Sequence, residues 1–184
     1  MRFVGLDLSM RATGLVVLDE AGEVVLRQRI GWKDSCATVH QRIRYFAKVA
    51  KEVQATVASC AEANGPQHLL AIAVEDYATH GPGDPTIGPE LGAIVRMGLI
   101  CYPSLHEVST TSLKKFATGK GNATKDVVML HTFKRWAFDC GDDNNLADAY
   151  VLARMVRAAY LGDDSLNAQQ LEALGKAGLG EVKR

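Results

Sequence analysis

The sequence predicts an α/β fold with one five-stranded mixed sheet flanked by helices. Three observations carry this. The chain opens on three short apolar segments, the last two separated only by Glu20-Ala21-Gly22, a spacing that makes a hairpin. A long segment of helical periodicity follows. After it, two further apolar runs alternate with helical patterns, so three antiparallel N-terminal strands should be joined by two parallel ones.

Each element has its own signal. Strands are expected over 2–8 (RFVGLDL), 14–19 (GLVVLD) and 23–30 (EVVLRQRI). Asp34 or Ser35 should cap a long helix, along which Val39, Ile43, Phe46, Ala50, Val53, Val57 and Cys60 recur at steps of four and three. Asn64-Gly65-Pro66 supplies the stop. The continuous apolar run 69–74 (LLAIAV) reads as a central strand buried on both faces, with Glu75 at its C-terminal edge. This crossover should return parallel to the first strand with a right-handed connection. A Gly/Pro-rich loop spans 80–89, and a helix is expected from 90 to about 100. Next come a short strand at 105–108, a helix from Thr111 that stops before Gly119, a loop at 119–124, and a helix from Lys125 to Phe138. A polar break from Cys140 to Asn145 precedes the last helix of a domain covering 1–162, at roughly 146–161. Residues 163–184 read as a weakly ordered tail holding one helix.

Composition limits the function classes. At 47% apolar and 23% charged residues, the 184-residue chain has the mix of a globular protein large enough for a proper core. No apolar run approaches the roughly 20 residues that span a bilayer, and the N-terminus reaches Asp7 too soon for a secretory signal. A cytoplasmic protein that meets no membrane is expected. Cys36, Cys60, Cys101 and Cys140 are scattered without a CxxC pair, which excludes a zinc or disulfide framework and suggests reduced, mostly buried thiols. Net charge is zero, yet cations cluster. From Arg27 to Lys51 there are seven Lys and Arg residues, opposed only by Asp34. Such clustering suits a phosphate-tracking surface or equally a set of solvated helix faces.

Chemistry concentrates on acids in apolar surroundings. Asp7 stands between Leu6 and Leu8 on the first strand, and Glu75 follows Val74 on the fourth, which should be its neighbour. An ionised carboxylate there is costly unless it is paired, and a divalent cation is one partner that hard oxygen ligands suit. Either acid alone could instead cap a loop or pair with Arg11. Asn145 and Asp148, three residues apart, share one face of the last helix, and its apolar residues pack that helix on the sheet. Helix capping by Asn144 or Asn145 accounts for the asparagines, but poorly for an Asp148 set between two alanines.

Taken together, these segments resemble the RuvC family of Holliday-junction resolvases. Gly5-Leu6-Asp7-Leu8-Ser9-Met10-Arg11-Ala12-Thr13-Gly14 is similar to that family's opening motif, and Ala73-Val74-Glu75 to its second acid motif. The basic segment from Lys114 through Gly119-Lys120-Gly121-Asn122-Ala123-Thr124-Lys125 places Lys114 and Lys125 at two functional lysines, and Asn145-Leu146-Ala147-Asp148-Ala149 resembles the closing motif. The ordered set spans residues 2 to about 160.

The resemblance implies a ribonuclease-H-like fold, a homodimer, two Mg²⁺ or Mn²⁺ ions per active site, and paired incisions in branched DNA such as four-way junctions. On that reading Asp7, Glu75, Asp148 and Asn145 hold metal, and Lys125 steadies the phosphate under attack. Lys114 grips a neighbouring phosphate, Tyr77 stacks at the junction centre, and Arg42 and Lys48 meet DNA from the outer face of the long helix. The chain departs from the family in two places. Asn145 stands where an acid or His is common, so Asp142 or Asp143 could help with the metal. The family's junction-probing aromatic falls near Ala78. Both departures look more like bacteriophage-type members, in a bacterial or phage-infected cell.

Two other classes remain to be weighed. A sugar-kinase or actin-like ATPase half also opens with a strand, an Asp and a hairpin, but needs a second lobe for which 184 residues leave no room. A non-cleaving branched-DNA-binding protein of the same fold would need the basic surface but not three converging acids.

Overall fold

A computed structural model describes residues 1–9, 11–34, 37–63, 70–76 and 87–180. Strands β1 (Arg2–Asp7), β2 (Thr13–Leu18) and β3 (Val24–Ile30) lead into helix α1 (Val39–Glu62), which returns to β4 (Leu70–Glu75). Helix α2 (Ile87–Leu99), β5 (Leu105–Val108), α3 (Thr110–Thr118), α4 (Lys125–Trp136), α5 (Asn144–Leu161) and α6 (Ala168–Lys176) follow. The strand order is β3-β2-β1-β4-β5. Pairing is antiparallel from β3 to β1, and parallel from β1 through β4 to β5. This is the expected mixed sheet.

Strand alternation divides the core in two. Val4, Leu6, Leu15, Val17, Ile72 and Val74 face α1 and α2, meeting Phe46, Val49, Val53, Leu91 and Val95. Phe3, Val16, Leu18, Ala71 and Ala73 face α3, α4 and α5. Gly5, Gly14, Ala71 and Ala73 leave room on the second face, so α5 lies very close to the strands there. A Cβ on Gly5 would stand 1.8 Å from the Ala149 carbonyl oxygen, and one on Gly14 would stand 2.2 Å from that of Asn145.

Several boundaries differ from expectation, each for a local reason. Helix α1 is capped by Thr38 rather than Asp34, because Thr38 and Gln41 form a reciprocal capping box. Ser35, the other expected cap, lies outside the described residues. The buried stripe of α1 starts at Tyr45 and Phe46, while Val39 and Ile43 are exposed. Helix α2 begins at Ile87 and takes Pro89 into its first turn, where the missing N–H costs nothing. The expected loop before it and the stop at 64–66 lie mostly outside the described residues. Gly119 ends α3 at φ 81°, a left-handed conformation that glycine adopts without strain.

Residues 163–180 are packed rather than loose. Ala173, Leu174 and Leu179 are buried in the same core as Phe116, and Gln170 Nε2 donates to the Phe116 carbonyl at 3.3 Å. Among the described thiols, Cys140 is buried, Cys60 half-buried and Cys101 exposed, and all are free. Burial is therefore less general than expected, and Cys36 lies outside the described residues. No described helix is long and apolar enough to cross a membrane.

Candidate metal centre

Parallel pairing places the ends of β1 and β4 side by side. Leu6 is in register with Val74, so Asp7 and Glu75, each one residue further on, finish at the same edge. Alternation turns both toward α5, on the face that carries Gly5 and Ala73. The glycine contacts seat α5 directly over that face, and Asp148 lies one turn into the helix. Carboxylate oxygens of Asp7, Glu75 and Asp148 all lie within 4.8 Å of one another.

Two of the three acids are buried, and Glu75 is half-buried. Asp7 is 5% exposed and Asp148 6%. Burial raises the Asp7 carboxyl well above the usual range; the charge and hydrogen bond of Glu75 add to this, then Asp148, while Lys125 opposes. Asp148 is pushed up to about 7, first by burial and then by Glu75, against Lys125 and Lys114. Burial and like charge therefore favour the protonated forms of Asp7 and Asp148 unless a cation lies among them. A donor set of converging hard oxygens, two of them nearly dry, fits a hard divalent ion.

The segment before α5 is pinned at several points. Asp143, not either asparagine, is the helix cap: its Oδ1 accepts from the Asn145 and Leu146 amides at 3.0 and 3.4 Å. Its Oδ2 meets Arg29 Nε at 2.9 Å. Arg27 donates to the Asp139 carbonyl at 2.8 Å. Asn145 Nδ2 donates to the Ala12 carbonyl at 2.6 Å, which leaves its Oδ1 as the atom available to a metal. Arg11, Arg29, Lys125, Asp142, Asp143 and Asn145 line a cleft of about 590 Å³ beside the cluster.

The other expected site residues are placed variously. Lys125 is the first residue of α4, Lys114 is half-buried on α3, and the charges of both reach Asp148. Arg42 is engaged within the chain. Its guanidinium holds Glu90 with two hydrogen bonds, at 2.9 and 3.3 Å, tying α1 to α2. Lys48 is also engaged, with Asp34 at 3.0 Å and over the Trp32 ring at 4.1 Å. Tyr77 and Ala78 lie outside the described residues. Sequence reasoning missed Arg29, Asp143 as the cap, and both glycines. A glycine inside a strand is itself a signal that another backbone approaches closely.

No protein-family model matches the chain, and no curated protein matches it in sequence. Solved structures do match. Thermus thermophilus RuvC superposes with a TM-score of 0.63 at 17% identity, covering 88% of this chain and 97% of that one. T. thermophilus RuvC in complex with a Holliday junction substrate gives a TM-score of 0.60 at 18% identity, covering 83% and 90%. Such identities speak to architecture alone. The chain has the ribonuclease-H-like fold that RuvC shares, with three carboxylates converging at the end of its central strands.

Proposed function

We propose that the chain is a structure-selective DNA endonuclease that resolves four-way junctions or other branched DNA by two-metal-ion phosphodiester hydrolysis. The convergence of Asp7, Glu75 and Asp148 within 4.8 Å carries the reading. Divalent ions held there supply a Lewis acid for the phosphodiester and make water a better nucleophile. The three carboxylates would hold the ions, with Asn145 as a further candidate ligand. Burial excludes competing water from Asp7 and Asp148. Lys125, whose charge reaches both of these acids, is suited to hold the phosphate under attack, and Lys114, which reaches Asp148, a neighbouring one.

Branched DNA as the substrate is supported by a neighbour of the same fold that was solved with a Holliday junction. A homodimer follows from that substrate, since two equivalent strands are addressed most simply by a two-fold axis. Met97 on α2 and Ile100 just beyond it, 74% and 81% exposed, mark the proposed interface. Asn145 in the closing motif and Ala78 in place of an aromatic support a bacteriophage-type member.

Purified protein incubated with a four-way junction, a flap and a linear duplex, with and without Mg²⁺, tests the reading. Metal-dependent cutting of the branched substrates is expected, and Asp7→Asn should abolish it while leaving junction binding intact. Binding without cutting in either Mg²⁺ or Mn²⁺ would instead identify a non-cleaving junction-binding protein.

A further inference from the structure

Apart from the carboxylates, the described cations are divided between those held inside the chain and those left open. Arg42 is held by Glu90 and Arg29 by Asp143. Lys33 and Arg44 are exposed. With Lys48, Asp34, Gln41 and Tyr45 they line a cleft of about 660 Å³ where β3 gives way to α1. Two features mark this cleft as built for an anion. Tyr45 is 2% exposed and its hydroxyl has no hydrogen-bond partner, which leaves a buried donor without an acceptor. The anion among the cations is the carboxylate of Asp34, 3.0 Å from Lys48, and both side chains of that pair are 46% exposed. An exposed pair of this kind is held weakly and exchanges readily.

We propose that this cleft is a second phosphate-binding site, which seats the backbone of a duplex arm away from the carboxylate cluster. Lys33, Arg44 and Lys48 supply the positive charge, Tyr45 the donor, and the DNA phosphate takes the place of Asp34 on Lys48. The placement suits a long substrate. Ile30 pairs with Thr13 and Gly14 with Asp7, so the cleft and the cluster lie at the same end of the sheet, on opposite faces. From strand and layer spacings their separation is roughly 15–20 Å. At about 3.4 Å per base pair, roughly five or six base pairs of one duplex arm cover that distance. The proposal rests on the reading of the chain as a DNA-acting protein.

The test is fluorescence anisotropy of a labelled four-way junction and a labelled duplex in EDTA, over a salt series. Cleavage and thermal melting are measured in parallel. The double variant Lys33→Ala/Arg44→Ala should bind both DNAs more weakly and lower the slope of log K against log salt by about 1.8, with the melting temperature unchanged. Its cutting rate at saturating junction should match that of the unaltered chain. Asp34→Asn should act in the opposite direction and tighten binding several-fold. Tyr45→Phe should weaken DNA binding without lowering the melting temperature, because its hydroxyl bonds nothing in the free chain.

An unchanged slope in the double variant, with normal cutting, overturns this proposal and leaves the nuclease reading standing. The slope loss in a chain that cuts nothing overturns the nuclease reading and supports the second site. Inorganic phosphate that raises the melting temperature of the unaltered chain but not of the double variant, with junction affinity equal in both, would show a site for free phosphate. That outcome overturns the nucleic-acid assignment.

Discussion

Glu75 adds to the proton affinity that burial gives both its neighbours, and it does so from the least buried position of the three. Its charge follows burial as the second cause of the raised Asp148 carboxyl, and it raises Asp7 through both charge and a hydrogen bond. Removing that charge while keeping the shape is therefore informative. In Glu75→Gln, Asp148 should titrate below its present value of about 7, yet stay above an ordinary aspartate because burial remains. Carboxyl NMR of metal-free protein over a pH series measures this, and an unmoved midpoint would mean the two groups are not coupled. Asp7 and Glu75 were legible in sequence because an acid among apolar strand residues demands a partner, and Asp148 because capping explains poorly an acid set between two alanines on a helix that packs on the sheet. The parallel pairing of β1 with β4 brings the first two together, and the seating of α5 on Gly5 and Gly14 brings the third. The role of Arg42 was not legible. Helical spacing put it on the outer face, but the buried stripe runs through Phe46, Val49 and Val53, which turns Arg42 toward α2 and Glu90, 48 residues away. Asn145 was legible as a residue on the site face, whereas its hydrogen bond to the Ala12 carbonyl depends on how closely α5 sits on the β1–β2 turn.

That close seating is a property of elements, and two glycines permit it. A methyl on Gly5 would overlap the backbone of α5 at Ala149, which cannot retreat as a flexible side chain can. Gly5→Ala should therefore cost about 3 kcal/mol or more in chemical denaturation, at the upper end for overpacking, and weaken metal binding by lifting Asp148 away. Gly175, on α6 with nothing within 4 Å of the point a Cβ would occupy, is the control: Gly175→Ala should be neutral or stabilise by about 0.5–1 kcal/mol. Asp143→Ala should cost about 1 kcal/mol as a lost cap and release Arg29, reducing cutting more than DNA binding. Most elements were legible because periodicity and turn residues agree along this chain. Those misplaced were decided by competition between neighbouring candidates. Thr38 outcompetes Asp34 because Gln41 returns its hydrogen bond, and Asp143 outcompetes the asparagines by bonding two amides at once. Residues 163–180 look small and polar in sequence, yet α6 has a capping box, and its Ala173 and Leu174, with Leu179 just beyond it, join the core.

For the molecule as a whole, the carboxylate cluster sets how stability responds to pH and to metal. The folded pKa of Asp148, at about 7, stands above its ordinary 3.8. Between those values the native state binds a proton that the unfolded state has released, so the contribution is full below about pH 4 and is lost as pH rises through about 7. Converted at about 1.4 kcal/mol per unit, the shift corresponds to an upper bound of about 4 kcal/mol. Asp7, raised in the same direction, adds to it. Opposing groups act mainly elsewhere: Glu172, held near about 2 by Lys115 and Lys176, gives stability that is lost only in stronger acid. His106, lowered by burial, works against the trend in the same window, so the comparison must be made between variants. In EDTA the melting temperature should fall from about pH 5 to about pH 8, and Asp148→Asn should flatten that fall. Divalent ions require the ionised form, so Mg²⁺ should raise the melting temperature more at the higher pH, by an amount equivalent to about 2.7 kcal/mol at a hundredfold excess over Kd. Scanning calorimetry of the unaltered chain and Asp148→Asn, at both pH values with and without Mg²⁺, decides the matter. A pH slope that survives Asp148→Asn, or equal metal shifts at both pH values, would show that the cluster does not govern stability.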